Sequence, residues 1–159
     1  MTEVRKTILV VDDDKTTNRL LCDLIRMHPE SDLDPIPVLT FSAAVEVLRV
    51  MHVDCIVLDV LLPNGEGLAP LLKLKKSDYQ DIPVLIVTGL PEGLRPSKEQ
   101  FLKAGANVFL EKPVHQQELV EAILRSMEAH QVAKENSGFH QDKQIIEDSM
   151  CGLKKLVSR

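Results

Sequence analysis

The chain is 159 residues long, which allows one domain with room for little else. Hydrophobic residues make up 44% of the chain and aromatic residues only 3%, so we expect a core of aliphatic side chains. The formal net charge is −5 and Lys and Arg form no cluster, which gives no electrostatic support for direct nucleic-acid binding. No apolar run approaches the ~20 residues that span a membrane, so we also expect no membrane contact.

The amino terminus and the cysteines indicate a cytoplasmic protein. Residues 1–6 lead directly into the first apolar run, without the apolar core of a secretory leader. Cys22, Cys55 and Cys151 are widely separated and lack the spacing of a metal site. We therefore expect three reduced thiols and a cytoplasmic location.

Five short apolar runs predict β-strands. Runs of this length, uninterrupted by polar residues and separated by helix-like segments, are typical of parallel strands that are buried on both faces. The predicted fold is therefore an α/β protein with a doubly wound, five-stranded parallel sheet. The predicted strands are Ile8–Val11, Pro37–Thr40, Cys55–Leu58, Pro83–Val87 and Val108–Leu110.

Apolar residues at helical spacing predict a helix after each strand. The first helix is expected to bury one face and to end near Pro29, because a proline disfavours the helical conformation in the residue before it. The residues predicted on that face are Leu20, Leu21, Leu24 and Ile25.

Start and stop signals delimit the next three helices. Ser42 is the predicted cap of the second helix, since Ser is a favoured N-cap. The third is expected to begin near Gly67, with a proline in its first turn, where proline is tolerated. The fourth is predicted to open with a capping box of Ser97 and Gln100 and to end at Gly105, the usual C′ residue.

The character of the chain changes after about residue 130. A fifth helix is predicted over Leu119–Met127, and Asn136–Gly138 is interpreted as a linker. A short amphipathic helix is then expected, which either docks on its own domain or pairs with a partner or a second copy. Its apolar stripe is Ile146, Met150, Leu153 and Val157. We therefore predict a domain at residues 1–130 and a tail at 131–159, with no output domain.

Chemically active residues stand where the predicted strands end. Asp12 and Asp13 follow the first strand, Asp59 follows the third, Thr88 follows the fourth, and Lys112 follows the fifth. The carboxyl ends of parallel strands meet at one edge of the sheet, where ligands gather. Acids, a hydroxyl and an amine at that edge predict a phosphoryl site that depends on a divalent cation.

The acids alone allow a simpler interpretation, because Asp is also a favoured N-cap residue. Asp12 and Asp13 could cap the first helix, and Asp14 is expected to be only a cap. Asp59 favours a site instead, since three converging carboxylates repel one another unless a cation is present. Hard oxygen ligands suit Mg²⁺, and Lys112 would bring the charge of such a site close to zero.

Five motifs in this order resemble the receiver domain of two-component response regulators, over about residues 7–129. The motifs are Val11-Asp12-Asp13, Leu58-Asp59 with Pro63 and Gly67, Val87-Thr88-Gly89, Ala104-Gly105-Ala106 and Lys112-Pro113. Each motif is weak alone, and together they are strong. The resemblance implies a flavodoxin-like strand order of 2-1-3-4-5. It also favours a cis peptide bond at Lys112–Pro113, since X–Pro is the bond where the cis form costs little.

The resemblance implies a role for each acid. Asp59 would be the nucleophile that accepts a phosphoryl group from a histidine kinase or a histidine phosphotransfer protein, forming an acyl phosphate. Asp13, Asp59 and the backbone carbonyl of Leu61 would bind Mg²⁺ directly. Asp12 would orient a water bound to the metal.

The remaining residues would sense the phosphoryl group. Lys112 and Thr88 would hold its oxygens, and Thr88 and Phe109 would then move together. Their movement would remodel the face made by helix four, strand five and helix five, which would control a downstream protein target. The protein would then catalyse only its own phosphorylation and dephosphorylation.

Three alternatives compete with this interpretation. A phosphohydrolase of the dehalogenase type needs a second Asp two residues after the nucleophile, and Leu61 stands there. A receiver-like interaction module could work without phosphorylation, although all five site residues are present. A transcription factor needs a DNA-binding motif, and none follows residue 130.

Overall fold

Five parallel strands form one sheet in the computed structural model, which describes residues 4–29, 32–60 and 68–157, with the backbone alone at positions 92 and 139–157. The strands are β1 (Lys6–Val11), β2 (Leu33–Val38), β3 (Cys55–Leu58), β4 (Val84–Thr88) and β5 (Val108–Glu111). Their spatial order is β2-β1-β3-β4-β5, and every neighbouring pair is parallel. The predicted doubly wound α/β fold and its strand order are therefore confirmed.

Helices cover both faces of this sheet, which explains why its strands are apolar on both sides. The helices are α1 (Lys15–Arg26), α2 (Phe41–Val50), α3 (Ala69–Lys75), α4 (Lys98–Lys103) and α5 (Gln116–Val157). Buried side chains of α2, α3 and α4 share one core cluster with one face of the sheet. Those of α1 and the first turns of α5 share the other cluster.

The edge strand β2 differs from its prediction. It covers Leu33–Val38 rather than Pro37–Thr40, and it pairs along its whole length with β1. The strand contains two prolines, which an edge strand tolerates because one side of it needs no ladder hydrogen bonds. Thr40 is not in the strand but caps α2, where its hydroxyl accepts a hydrogen bond from Ala43 N at 3.1 Å. The prediction of Ser42 as the cap is therefore wrong.

The buried face of α1 is rotated relative to its prediction. Leu20 is 56% exposed, and the buried residues are Asn18, Leu21, Cys22 and Ile25. These four positions follow the i, i+3, i+4, i+7 spacing of one helix face, with a polar residue at its start. Leu21 and Ile25 are buried as predicted, and Leu24 packs against the core. The prediction of Leu20 is wrong, and Asn18 was passed over because only apolar residues were counted.

The signals that bound α4 are confirmed. Ser97 Oγ accepts from Gln100 N at 3.3 Å, and Gln100 Oε1 accepts from Ser97 N at 2.8 Å, which completes the capping box. Gly105 follows the helix with φ of 108°, a conformation that favours glycine. The Lys112–Pro113 bond is cis, as expected.

Helix α5 is longer than predicted. Asn136–Gly138 is helical, so the predicted linker is wrong. Each of these residues weakens a helix only modestly, and extending an existing helix needs no new nucleus. The predicted stripe lies in helical backbone, but its side chains are outside the described part of the chain. By contacts the chain divides into two compact units, Met1–Met127 and Glu128–Arg159. Within the described ranges, no helix combines the length and the hydropathy that a transmembrane span requires.

Candidate functional site

Four neighbouring strands bring polar side chains to one edge of the sheet. Asp12 follows β1, Asp59 follows β3, Thr88 ends β4, and Lys112 follows β5. Asp12 and Thr88 are fully buried, and Asp59 is 4% exposed. Burying such groups is costly unless they are paired or hydrogen-bonded, so their collection here indicates a site rather than a packing surface.

Three carboxylates form a cluster at this edge. One oxygen from each of Asp12, Asp13 and Asp59 lies within 4.8 Å of the other two. Asp12 and Asp59 are buried, whereas Asp13 is exposed. The donor set consists of hard, negatively charged oxygens, which fits Mg²⁺ and does not fit a soft metal. Leu61, whose backbone carbonyl the resemblance implies as a further ligand, lies outside the described residues.

Lys112 pairs with two of these acids. Its ammonium lies 2.6 Å from Asp12 Oδ2 and 3.1 Å from Asp59 Oδ2. Burial works against the charged ammonium, but the hydrogen bond to Asp12 and the charges of Asp59 and Asp12 outweigh it, so the pKa of Lys112 lies above its ordinary value. The lysine is therefore a fixed positive charge beside the carboxylates.

Asp14, and not Asp12 or Asp13, caps α1. Its carboxylate accepts a hydrogen bond from Thr17 N at 2.7 Å, and this backbone bond is the main reason why the pKa of Asp14 is lowered. Asp12 Oδ1 accepts from Asp14 N at 2.9 Å, while Asp12 Oδ2 faces the lysine. Asp12 and Asp13 are therefore left for the cluster, and Asp14 is a cap, as expected.

Asn18 supports the loop that carries the acids, and the sequence analysis missed it. Its buried side-chain nitrogen, which has two hydrogens to donate, lies within hydrogen-bond distance of three backbone carbonyls, so one hydrogen is shared between two of them. The carbonyls are those of Asp12 at 3.1 Å, Val38 at 2.8 Å and Val10 at 3.3 Å. The amide thereby joins the ends of β1 and β2 to α1. A polar residue on the apolar face of a predicted helix was the signal that could have revealed it.

Thr88 meets both its own loop and β5. Its hydroxyl accepts a hydrogen bond from Leu90 N at 3.2 Å, which leaves the hydroxyl proton free to donate elsewhere. Its backbone carbonyl accepts from Lys112 N at 2.8 Å. The threonine and the lysine, which end adjacent strands, are thus joined through the backbone.

Phe109 lies buried on β5 between an aromatic ring and a cation. The Phe101 ring is 5.5 Å away between centroids, and the Arg95 guanidinium carbon is 4.6 Å from the Phe109 centroid. Arg95 also pairs with Glu111. Arg95 was not predicted as a site residue, because a single arginine in a loop rich in glycine and proline carries no signal of burial.

Comparison with known proteins places this arrangement in a family context. The model of the response regulator receiver domain matches residues 8–124. Nodulation protein W of Bradyrhizobium diazoefficiens is 33% identical over 131 residues, which cover 80% of this chain and 54% of that protein. The phosphate regulon transcriptional regulatory protein PhoB of Escherichia coli is 29% identical over 119 residues, covering 74% of this chain and 50% of that protein. The chain thus spans about half the length of these curated relatives.

A solved structure shares the fold. The receiver domain of the Francisella response regulator 1452 superposes with a TM-score of 0.66 at 25% identity. The match covers 79% of this chain and 98% of that one. The residues matched by the family model, 8–124, lie within the compact unit Met1–Met127 and include the acids, the threonine and the lysine of the site.

Proposed function

Because the chain belongs to the response regulator receiver family, we propose that it accepts a phosphoryl group on Asp59 and thereby controls a partner protein. The observation that carries this proposal is the meeting of Asp12, Asp13 and Asp59 with Lys112 at one sheet edge. The phosphoryl donor is a phosphohistidine of a histidine kinase or a histidine phosphotransfer protein. We place this exchange in the cytoplasm, in line with the sequence prediction.

The reaction is a phosphoryl transfer between two side chains. A carboxylate oxygen of Asp59 attacks the phosphorus, an O–P bond forms, and the P–N bond to the donor imidazole breaks. The imidazole leaves with the electron pair and takes up a proton. Lys112 and Thr88, by its free hydroxyl proton, hold the phosphoryl oxygens as their charge shifts.

Mg²⁺ would be held by Asp13, Asp59 and the Leu61 carbonyl, with Asp12 orienting a bound water. When bound, the ion neutralises the charge that gathers on the phosphoryl oxygens. The chain's own residues do the rest. The buried Asp12 holds Lys112 in place, and Lys112 offsets the repulsion between the acids before the donor arrives.

Phosphorylation of Asp59 would act on a partner by changing the surface of the domain. Thr88 would turn toward the phosphoryl group, and Phe109 would follow, which alters the face of α4, β5 and α5. A downstream protein target, or a second copy in a homodimer, would read this face. We propose no direct contact with nucleic acid or membrane for the described domain.

Two other functions predict different chemistry. A phosphohydrolase would hydrolyse many molecules of a free phosphate ester, whereas in this protein the phosphoryl group would be transferred to Asp59 and later lost from it. A receiver-like module that works without phosphorylation would bind its partner equally well before and after exposure to a phosphoryl donor.

The test is incubation of the purified protein with acetyl phosphate and Mg²⁺, followed by intact mass spectrometry. We expect the wild type to gain one phosphoryl group, and Asp59→Asn to gain none. Asp23→Asn, which changes an exposed carboxylate on α1, is the matched control and should behave as the wild type. Unmodified wild type, or modified Asp59→Asn, would overturn the assignment of Asp59.

A further inference from the structure

An arginine lies buried in the loop between β4 and α4. The Arg95 side chain is only 2% exposed, although arginine stays protonated in proteins and is rarely buried without partners. Its Nε donates to Leu90 O at 2.8 Å and one terminal nitrogen donates to Pro96 O at 3.1 Å. The other terminal nitrogen pairs with Glu111. All three nitrogens of the guanidinium are therefore engaged.

The guanidinium also packs against the buried ring of Phe109, with 4.6 Å between its carbon and the ring centroid. A cation this close to an aromatic face is attracted by the ring, and the attraction strengthens where water is excluded. The pair with Glu111 does not by itself require burial, since that side chain is 67% exposed. The ring and the Leu90 carbonyl are what draw the arginine inward.

One residue, Leu90, connects this arginine to the candidate site through its backbone N–H and its backbone carbonyl. Leu90 N donates to the Thr88 hydroxyl at 3.2 Å, and Leu90 O accepts from Arg95 Nε. A continuous chain of contacts thus runs from Thr88 through Leu90 and Arg95 to Phe109. Displacing the Thr88 hydroxyl would break its hydrogen bond with Leu90 N, and moving Phe109 would remove the ring against which the guanidinium packs.

We propose that Arg95 is a positioning residue that holds Thr88 and Phe109 in this arrangement and opposes the rearrangement that phosphorylation of Asp59 drives. The inference rests on the proposed function. We call this opposition of Arg95 to the rearrangement the brake. A group that stabilises only the unphosphorylated arrangement lowers the population that is ready for the phosphoryl group. The apparent affinity for the phosphoryl group falls by the same factor as the population of the competent arrangement, and loss of the brake restores it.

The test measures the equilibrium binding of beryllium trifluoride, a phosphoryl mimic, in saturating Mg²⁺ by isothermal titration calorimetry. We expect Arg95→Ala to bind the mimic at least about threefold more tightly than the wild type, because the competent population rises. Hydrogen exchange at the Leu90 amide should quicken in the same variant. A purely structural role would destabilise the fold without tightening this binding.

Matched variants keep the test decisive. Arg95→Lys keeps the charge but loses the planar group, so it should lie between wild type and Arg95→Ala. Glu111→Gln leaves Arg95 over the ring and should tighten binding of the mimic less than Arg95→Ala does. It also provides a test of the proposal if Arg95→Ala does not fold. Arg49→Ala removes an exposed arginine paired with Glu46 on α2 and should change nothing.

The outcomes separate the two proposals. Wild type that fails to bind the mimic overturns the proposed function, and the brake with it. Wild type that binds, together with Arg95 and Glu111 variants whose affinity is unchanged or weaker, overturns the brake alone. Tighter binding in the order wild type, Arg95→Lys, Arg95→Ala supports it.

Discussion

The ammonium of Lys112 lies 2.6 Å from the carboxylate of Asp12, although the two residues are 100 positions apart in the chain. The same ammonium lies 3.1 Å from Asp59, so one cation separates two buried acids. A buried ion pair contributes little net stability, but losing one of its members is expensive. The lysine therefore serves the fold as well as the proposed chemistry.

Lys112→Met should destabilise the protein more in the absence of Mg²⁺ than in its presence. Without the ammonium, two buried carboxylates repel each other, and we expect the free energy of unfolding to fall by about 3 kcal/mol. Added Mg²⁺ should recover part of this loss by replacing the missing positive charge. Urea denaturation with and without Mg²⁺ measures both effects.

The matched control is Lys6→Met, which removes a half-exposed lysine 3.7 Å from Asp54. It should cost less than about 1 kcal/mol and show no special response to Mg²⁺. If Mg²⁺ stabilises Lys112→Met no more than it stabilises the wild type, Mg²⁺ does not replace the positive charge that Lys112 supplies to the acids.

Asn18→Ala should weaken both the fold and cation binding. The substitution leaves carbonyls at the ends of β1 and β2 without the buried amide, at a cost of about 1–3 kcal/mol. Because one of those carbonyls belongs to Asp12, we also expect weaker Mg²⁺ binding by calorimetry. Arg19→Ala, at the adjacent and exposed position, should leave both unchanged. Lower stability with unaltered Mg²⁺ binding would show that Asn18 supports the strands and not the acids.

The half-buried Leu90 should slow the loss of the phosphoryl group. It adjoins Thr88, and its side chain offers no hydrogen-bond partner to an attacking water. The family resemblance places Leu61, which lies outside the described residues, at a second position flanking the site, and a leucine there offers no partner either. Leu61→Asn combined with Leu90→Glu should speed the decay of phosphorylated protein in Mg²⁺. The increase should reach about 10²-fold if one of the two new polar side chains activates the attacking water. Leu94→Glu, at an exposed position of the same loop, is the control. An unchanged decay rate in the double variant would dismiss this role of the leucines.

Two cysteines should resist alkylation until the protein unfolds. Burial raises the pKa of the Cys22 thiol to about 11 and that of Cys55 to about 12, so at pH 8 almost no reactive thiolate forms. Peptide mapping after iodoacetamide treatment should find both thiols unmodified in native protein and modified in denaturant. Labelling of Cys55 in the native state would mean that β3 opens readily.

Residues with strong local signals were predictable. A strand buried on both faces must be apolar throughout, so β3 was bounded correctly, and Asp59 was visible as the polar residue that ends it. The capping box of Ser97 and Gln100 is a local hydrogen-bond pattern, and it too was found. Placing Asp12, Asp59 and Lys112 at one edge needed only the rule for parallel strands.

Residues that depend on distant partners were not predictable. The three carbonyls that Asn18 binds and the ring that Arg95 covers come from other elements. The position of Asn18 on an apolar helix face could mark it as unusual, but the local sequence does not identify the partners of either residue. The prediction that Leu20 is buried was wrong for the same reason, since packing against the sheet decides which face of the helix is buried. The linker prediction at Asn136–Gly138 failed because weak helix formers can still continue a helix that has already formed.

The sheet order has a consequence for how the protein is made. Asp12 leaves the ribosome early, but the lysine that faces it stands after the last strand, so an emerging chain has the acids long before it has their counter-charge. Fragments that stop before β5 would lack Lys112, the cation that pairs with Asp12 and Asp59. Under the proposed function, a chain still being synthesised would therefore have no complete phosphoryl site until nearly the whole domain is made.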